Sequence, residues 1–245
     1  MTPHLEIAWA RDAAEVSAAQ RLRYQVFAGE LGARLDTAGV AAGLDADRFD
    51  PFCDHLIVRA GPPDAGIVVG TYRVLPPARA RAAGGYYTDT EFDLAPLAPL
   101  RRRALELGRS CVHPAWRSGS VILAMWGALG SYMQRHRLET MIGCASIGMA
   151  DGGANAAALW RSLRRTHLAP SRWHVTPHHP LPDVGAAEGP AVAPPLLKGY
   201  LRCGARVIGA PALDTAFGTA DLPLMLRMED MAPRYRRRLL QPPAG

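Results

Sequence analysis

The chain has 245 residues, 49% of them hydrophobic and 20% charged, which is long enough to bury roughly 70% of its unfolded surface and too apolar for a disordered segment. Its longest apolar run, near Ile122 to Gly130, is too short to span a bilayer, and Met1 to Trp9 lacks the basic-then-apolar layout of a signal peptide, so a cytoplasmic protein is expected. The net charge of +6 predicts an acidic partner, which could be nucleic acid, an anionic membrane surface or an acidic carrier protein.

Leu5 to Trp9 reads as a short strand. Asp12, with Glu15 three residues on, resembles a capping box and opens a helix to about Leu31, with Val16, Ala19, Leu22, Val26 and Phe27 on its buried face. Residues 32 to 54 form an acidic loop carrying Asp36, Asp45, Asp47, Asp50 and Asp54, suited to a cation. Calcium fits poorly, because the twelve-residue loop with its closing Glu is absent.

His55 to Arg59 and Ile67 to Leu75 are β-branched runs around Gly61-Pro-Pro-Asp-Ala-Gly66, a hairpin pattern. Residues 76 to 103 are irregular, with Tyr86, Tyr87 and Phe92 as apolar anchors. Leu105 to Val112 predicts a strand ended by Pro114. A turn at Arg117-Ser118-Gly119-Ser120 then opens a helix with Val121, Ile122, Met125, Trp126, Leu129, Tyr132 and Met133 at helical spacing. Small residues at such a turn let backbone N–H groups approach an anion, and Arg117 adds charge beside them.

Thr140 to Ala145 predicts a strand and Ala154 to His167 a helix. The Pro/Gly-rich stretch 168–195 is a lid or a spacer, whose histidines lack ligand spacing. Pro195 to Cys203 predicts a helix, Ala205 to Ile208 and Leu222 to Leu226 strands, and 229–245 a basic tail able to touch anionic lipid. Cys53, Cys111, Cys144 and Cys203 are widely spaced, which favours reduced thiols. With no internal repeat, a single mixed α/β domain over 1–245 is expected.

Glu106 and Arg109 would face opposite ways in a regular strand. Only a bulge or a splay brings both to one pocket.

Three blocks, Arg21-Leu-Arg-Tyr-Gln-Val-Phe27, Gly70-Thr-Tyr-Arg-Val-Leu75 and Glu106-Leu-Gly-Arg-Ser-Cys-Val-His-Pro114, resemble two families of the GNAT superfamily. These are the acyl-homoserine-lactone synthases and the ornithine acyl-carrier-protein N-acyltransferases that begin ornithine-lipid synthesis. Cys53 to Val58, Tyr87 to Leu94, Gly143 to Ser146 and Pro195 through Asp221 are similar to the second family. The resemblance implies an α+β GNAT-like fold with a mixed, mostly antiparallel sheet, splayed in the middle and flanked by helices. It implies a substrate pocket at Arg23, Phe27, Asp45, Asp50 and Arg73, with Glu106 and Arg109 as catalytic residues. Cys111, Val112, His113, Arg117, Ser118, Gly119 and Ser120 would hold the acyl donor.

The superfamily's coenzyme A loop, Gln/Arg-x-x-Gly-x-Gly/Ala, is not met, because Trp116 and Val121 flank Gly119 at its key positions. The resemblance therefore implies no bound cofactor, an acyl carrier protein as partner and its phosphopantetheine thioester as donor. The expected reaction moves a 3-hydroxyacyl group to the α-amine of ornithine. Glu106 would act as base, Arg109 would orient it or the donor phosphate, and N–H groups near Cys111 to His113 would hold the oxyanion. The acidic loop would bind the cationic side chain, and Arg23 or Arg73 the carboxylate.

Structural alternatives stand beside each assignment. Glu106 and Arg109 could be a salt bridge fixing the strand, Cys111 a core thiol or a nucleophile with His113, and the Met125, Trp126, Met133 stripe core or acyl tunnel. A homoserine-lactone synthase and a non-enzymatic module for membrane or carrier are the competing functions. Scattered arginines argue against nucleic acid.

Overall fold

In the computed structural model the described residues are 5–35, 41–62, 66–117, 119–184 and 191–239. An eight-stranded sheet is built from β1 (Leu5–Trp9), β2 (Asp54–Ala60), β3 (Ile67–Leu75), β5 (Ala104–Val112), β6 (Thr140–Gly148) and β10 (Thr219–Arg227). Short β8 (Arg206–Val207) and β9 (Ala212–Asp214) lie along β10. The order is β1-β2-β3-β5-β6-β10-β8. Every pairing is antiparallel except β5 with β6, which run parallel and stay in register only from Ala104↔Thr140 to Glu106↔Ile142. Beyond Glu106 the two strands part, and the sheet splays. A second, two-stranded sheet joins β4 (Phe92–Asp93) to β7 (Thr176–Pro177).

The hairpin strands β2 and β3 form where the β-branched runs placed them, and β5 where its apolar strand pattern did. Helix α1 (Ala13–Tyr24) starts at Asp12, whose carboxylate accepts from the Glu15 N–H. The box closes only halfway, because Glu15 instead accepts from the Arg11 N–H. The predicted continuation to Leu31 is a π-helical turn, Gln25–Glu30, which a 3.6-residue period cannot foresee. A short helix, α2 (Pro77–Ala82), and several 3₁₀ turns occupy the irregular region, where Tyr86 and Phe92 are fully buried.

Helix α3 (Ser120–Arg135) buries Val121, Met125, Leu129, Tyr132 and Met133 against β2, β3 and β5. It approaches closely at Gly70, where an added Cβ would lie 2.5 Å from Val121 Cγ1. Helix α4 (Ala154–Thr166) packs on β6. Helix α5 (Pro195–Cys203) spans the predicted residues, with proline at its first position and Gly204 past its end. It stacks Tyr200 on Trp126 of α3. The basic tail is helical as α6 (Pro233–Leu239).

Residues 168–184 run along β4, β8 and β9, with bridges Leu168↔Val207, Val175↔Gly209 and Pro180↔Ala212. All four cysteines are free. No described helix is long and apolar enough to cross a membrane.

Candidate active site

The centre of the site follows from one irregularity in β5. Gly108 pairs with Arg73 and Cys111 with Thr71, so Arg109 and Ser110 together stand opposite the single residue Tyr72. This is a β-bulge, and Arg109 carries the strain with φ +49°. The extra residue resets the alternation, and Glu106 and Arg109 border one cavity with Arg73, Tyr87, Thr88, Cys144, Ser146 and Asp221. Bulge and splay both occur. At the splay, Gly143 of β6 lies so near β5 that a Cβ would sit 2.3 Å from the Leu107 carbonyl oxygen.

Glu106 is buried and held from one side. Its Oε2 accepts from the Tyr87 N–H at 2.7 Å, and its Oε1 from the Thr88 N–H at 2.7 Å and the Thr88 hydroxyl at 2.5 Å. Burial pushes it above the ordinary carboxylate range, against those three bonds and the charge of Arg73. It forms no pair with Arg109, so neither the strand-fixing salt bridge nor an orienting role of Arg109 on Glu106 is present.

Arg109 turns instead to the acidic loop. Its Nη2 donates to Asp47 Oδ2 at 3.1 Å, while its Nε lies 3.2 Å from Asp45 Oδ2 without hydrogen-bond alignment. The guanidinium is flanked by the Tyr87 and Phe217 rings, 4.9 and 4.5 Å from their centroids.

The loop carboxylates are already occupied. Arg23, with no exposed surface, donates from Nε to Asp45 Oδ2 at 2.7 Å and from Nη1 and Nη2 to the two oxygens of Asp50 at 2.9 and 3.1 Å, and it reaches the Asp45 carbonyl. Arg73 Nη1 donates to Asp47 Oδ1 at 2.7 Å and Asp50 Oδ2 at 3.0 Å. Three arginines thus balance three aspartates. Burial would raise the Asp50 carboxyl, but Arg23 and Arg73 hold it well below its usual range. His55 beside it is buried and its pKa is lowered, so it stays neutral near pH 7.

Of the residues expected to touch substrate, Arg73 borders the cavity, whereas Arg23, Asp45 and Asp50 form the ionic support behind it. Neither the carboxylates nor Arg23 is free to meet a substrate in this arrangement. Phe27 packs edge-on against Phe217 at 5.8 Å and belongs to a different groove.

That groove runs between the π-turn, the end of β5 and the starts of α3 and α5. It is lined by Phe27, Leu31, Cys111, Val112, Trp116 and Ile122, with Arg117 and Gly119 at the helix entrance. Four of the expected donor-site residues therefore come together here. Arg117, expected to offer free charge, is paired through both Nη atoms with Glu30 at 2.6 and 2.7 Å. The His113 backbone N–H is committed to the Val69 carbonyl at 2.8 Å and is not available to an oxyanion, and its Nδ1 accepts from the Ala115 N–H. Ser120 is the exposed first residue of α3, and Ser118 lies outside the described residues. Burial pushes the Cys111 thiol up to about 12, which removes it as a nucleophile.

A third space lies under α3 and α5. It is walled almost wholly by apolar groups, among them Leu107, Trp126, Leu129, Met141, Leu224 and Met231. Trp126 lines this cavity while Met125 and Met133 are core, so the helical stripe divides between the two readings. Leu107 and Cys144 also border the polar cavity, and Trp126 also borders the groove. One polar spot interrupts it, where the Tyr72 and Tyr200 hydroxyls bond to each other.

Tyr87, Thr88, Cys144, Ser146 and Asp221 line the cavity and escaped the sequence reading of the site, as did Glu91 beside Cys144. Glu91, just before β4, accepts from the Cys144 thiol at 3.3 Å. Burial, reinforced by Asp221, pushes Glu91 up to about 8, and burial pushes Asp221 up to about 6 against bonds from Thr219 and Ser146. A single acidic residue inside the apolar run from Ala220 to Leu226 was the available signal.

Residues 22–127 match the acetyltransferase (GNAT) domain family. An L-ornithine N(alpha)-acyltransferase of Brucella abortus is 39% identical, covering 94% of this chain and 87% of the relative. One of Rhodobacter capsulatus is 38% identical over 94% and 93%. Among solved structures, FeeM, an N-acyl amino acid synthase from uncultured soil microbes, is similar with a TM-score of 0.56 at 14% identity, over 94% of this chain and 96% of that one. The acyl-homoserine-lactone synthase BjaI aligns with a TM-score of 0.54 at 14% identity, over 97% and 87%. At that identity these two structures speak for the fold alone.

Proposed function

The chain belongs to the L-ornithine N(alpha)-acyltransferase family, and from that premise we propose that it moves a fatty acyl group from a carrier-protein thioester to the α-amine of ornithine. The observation that carries this reading is the splay beyond Glu106. It sets a polar cavity holding Glu106, Arg73 and Arg109 against an apolar space, with Leu107 and Cys144 shared between them.

The acyl chain occupies the apolar cavity under α3, and the phosphopantetheine arm enters along the groove at Trp116 and Ile122. The acceptor's carboxylate meets the edge of Arg73 or Arg109. An ammonium has no lone pair, so the α-amine reacts neutral. As its nitrogen attacks the thioester carbonyl, the N–C bond forms and the proton passes to Glu106 directly or through one water; the C–S bond then breaks and Glu106 returns that proton to the sulfur, so the thiol leaves neutral. Backbone N–H groups at the bulge, where the β5 ladder is interrupted, would hold the oxyanion. The net charge of +6 and the unmet coenzyme A loop favour an acidic carrier as donor.

The test incubates the purified protein with labelled ornithine and either acyl carrier protein thioester or acyl-CoA, then weighs the products. N-acylornithine formed faster from the carrier thioester supports the reading. Equal or faster use of acyl-CoA removes the carrier, and an acylated homoserine lactone formed from S-adenosylmethionine replaces the acceptor.

A further inference from the structure

With Asp45, Asp47 and Asp50 saturated by arginines, the expected binding of a cationic side chain by the acidic loop loses its carboxylates. A different acidic cluster adjoins the same cavity, with Cys144 and Asp221 in its lining and Glu91 beside them. Glu91 before β4, Cys144 on β6 and Asp221 on β10 bring a carboxylate oxygen, the thiol sulfur and a second carboxylate oxygen within 4.8 Å of one another. Asp221 is only 5% exposed and lines the cavity. Glu91 Oε1 is shut off from solvent and has no hydrogen-bond partner. Among the described residues, neither carboxylate makes an ion pair with a basic side chain. Buried charges are paired or neutralised, and with no protein cation beside them Glu91 and Asp221 are held up towards the neutral form, so a cation entering the cavity would meet two acids able to ionise against it.

Arg73 and Arg109 line the same cavity. A cavity bordered by guanidinium groups and by a pair of carboxyl groups suits an α-amino acid whose side chain ends in a positive charge. We propose that Glu91 and Asp221 form the subsite for the side-chain ammonium of the acceptor, so that this pair sets the preference for a primary alkylammonium over a neutral side chain. The proposal rests on the acyltransfer reading above for its choice of ligand. The surrounding groups are consistent with it. Ser146 and Thr219 hydroxyls hold Asp221, and Asp214 on β9 adds negative charge nearby while its own Oδ1 accepts from the Ala216 and Phe217 N–H groups. The Cys144 thiol is protonated, pushed well up by burial, and donates to Glu91, which sets this cluster apart from a thiolate metal site.

The experiment compares L-ornithine with L-norvaline, which keeps the three-carbon chain and lacks the ammonium, in the wild type, Asp221→Asn and Glu91→Gln. Binding is followed by calorimetry and transfer by kcat/KM, each expressed as the ornithine-to-norvaline ratio within one protein, which is insensitive to the folded fraction. The expected wild-type ratio is large, and each variant lowers it by roughly tenfold or more, as loss of a charge-assisted contact does. Should Asp221→Asn fail to fold, Glu91→Gln, at a half-buried position, still decides. A ratio unchanged in the variants overturns the proposal, and so does stoichiometric zinc in the purified protein. A wild type that binds ornithine selectively but transfers no acyl group supports the subsite while refuting the acyltransfer reading.

Discussion

Arg23→Met separates a scaffold from a substrate contact. Arg23 is wholly buried and donates to Asp45 and Asp50, at 2.7 Å to the first and 2.9 and 3.1 Å to the second. Methionine keeps much of the volume but leaves three aspartates facing two arginines. Asp50 retains Arg73 at 3.0 Å and Asp45 retains only the poorly aligned Arg109 Nε, so one negative charge is buried without compensation. Breaking a buried pair in this way costs about 3–5 kcal/mol. In a chain of this size that lowers Tm by about 10 °C. Asp45→Asn on the Arg23→Met background removes the surplus charge and should restore part of the loss, giving a non-additive cycle. Thermal unfolding followed by circular dichroism, alongside ornithine KM, is the assay. A Tm within about 2 °C of wild type, the size of shift that small surface changes give, together with a raised KM would refute the reasoning and return Arg23 to the substrate.

Four further outcomes follow from the geometry. Thr88→Val removes the hydroxyl that holds Glu106 down, so the acid limb of the kcat/KM profile should move up by about one pH unit if Glu106 is the base, and stay put if it is not. Gly143→Ala places a Cβ against the Leu107 carbonyl, forcing the strands at the splay apart; turnover should fall at least about tenfold, with about 1–3 kcal/mol of stability lost. Ala205→Leu fills part of the apolar cavity, and mass spectrometry of the product should show shorter acyl chains than wild type makes. Because the His55 pKa is lowered in the folded protein, the unfolded chain binds the proton first. Stability is therefore lost as pH falls from about 6.5 towards the native value, and His55→Asn should flatten that part of a Tm-versus-pH curve.

Much of the architecture was readable because local signals and tertiary demand agree. Pro195 at the first position and Gly204 past the end delimit α5, and continuous β-branched runs mark β2 and β3, which are buried on both faces. The requirement that a bulge or splay bring Glu106 and Arg109 together also followed from a period of two. What escaped depends on contacts distant in sequence. Nothing local to Arg23 says that it is buried 22 residues from its partner, or that the loop aspartates are consumed by arginines from α1, β3 and β5. Glu91 and Cys144 are unremarkable in sequence and meet Asp221 only when β6 and β10 align along their whole length. Strand β9, three residues long, has too little pattern to register.

The ion cluster and the bulge are best understood as one device. A non-glycine residue at φ +49° is costly and persists only where its surroundings over-determine it. Arg109 is held there by Asp47 and Asp45 on one side and by the Tyr87 and Phe217 rings on the other, and Asp45 is itself fixed by Arg23. Tyr87 in turn belongs to the turn that donates to Glu106. Glu106 and Arg109 therefore never touch, yet each is positioned through partners the other also depends on. Mutations in the support should then lower turnover along with stability, whereas Glu91 and Asp221, which lie outside that chain of contacts, should alter which acceptor is chosen.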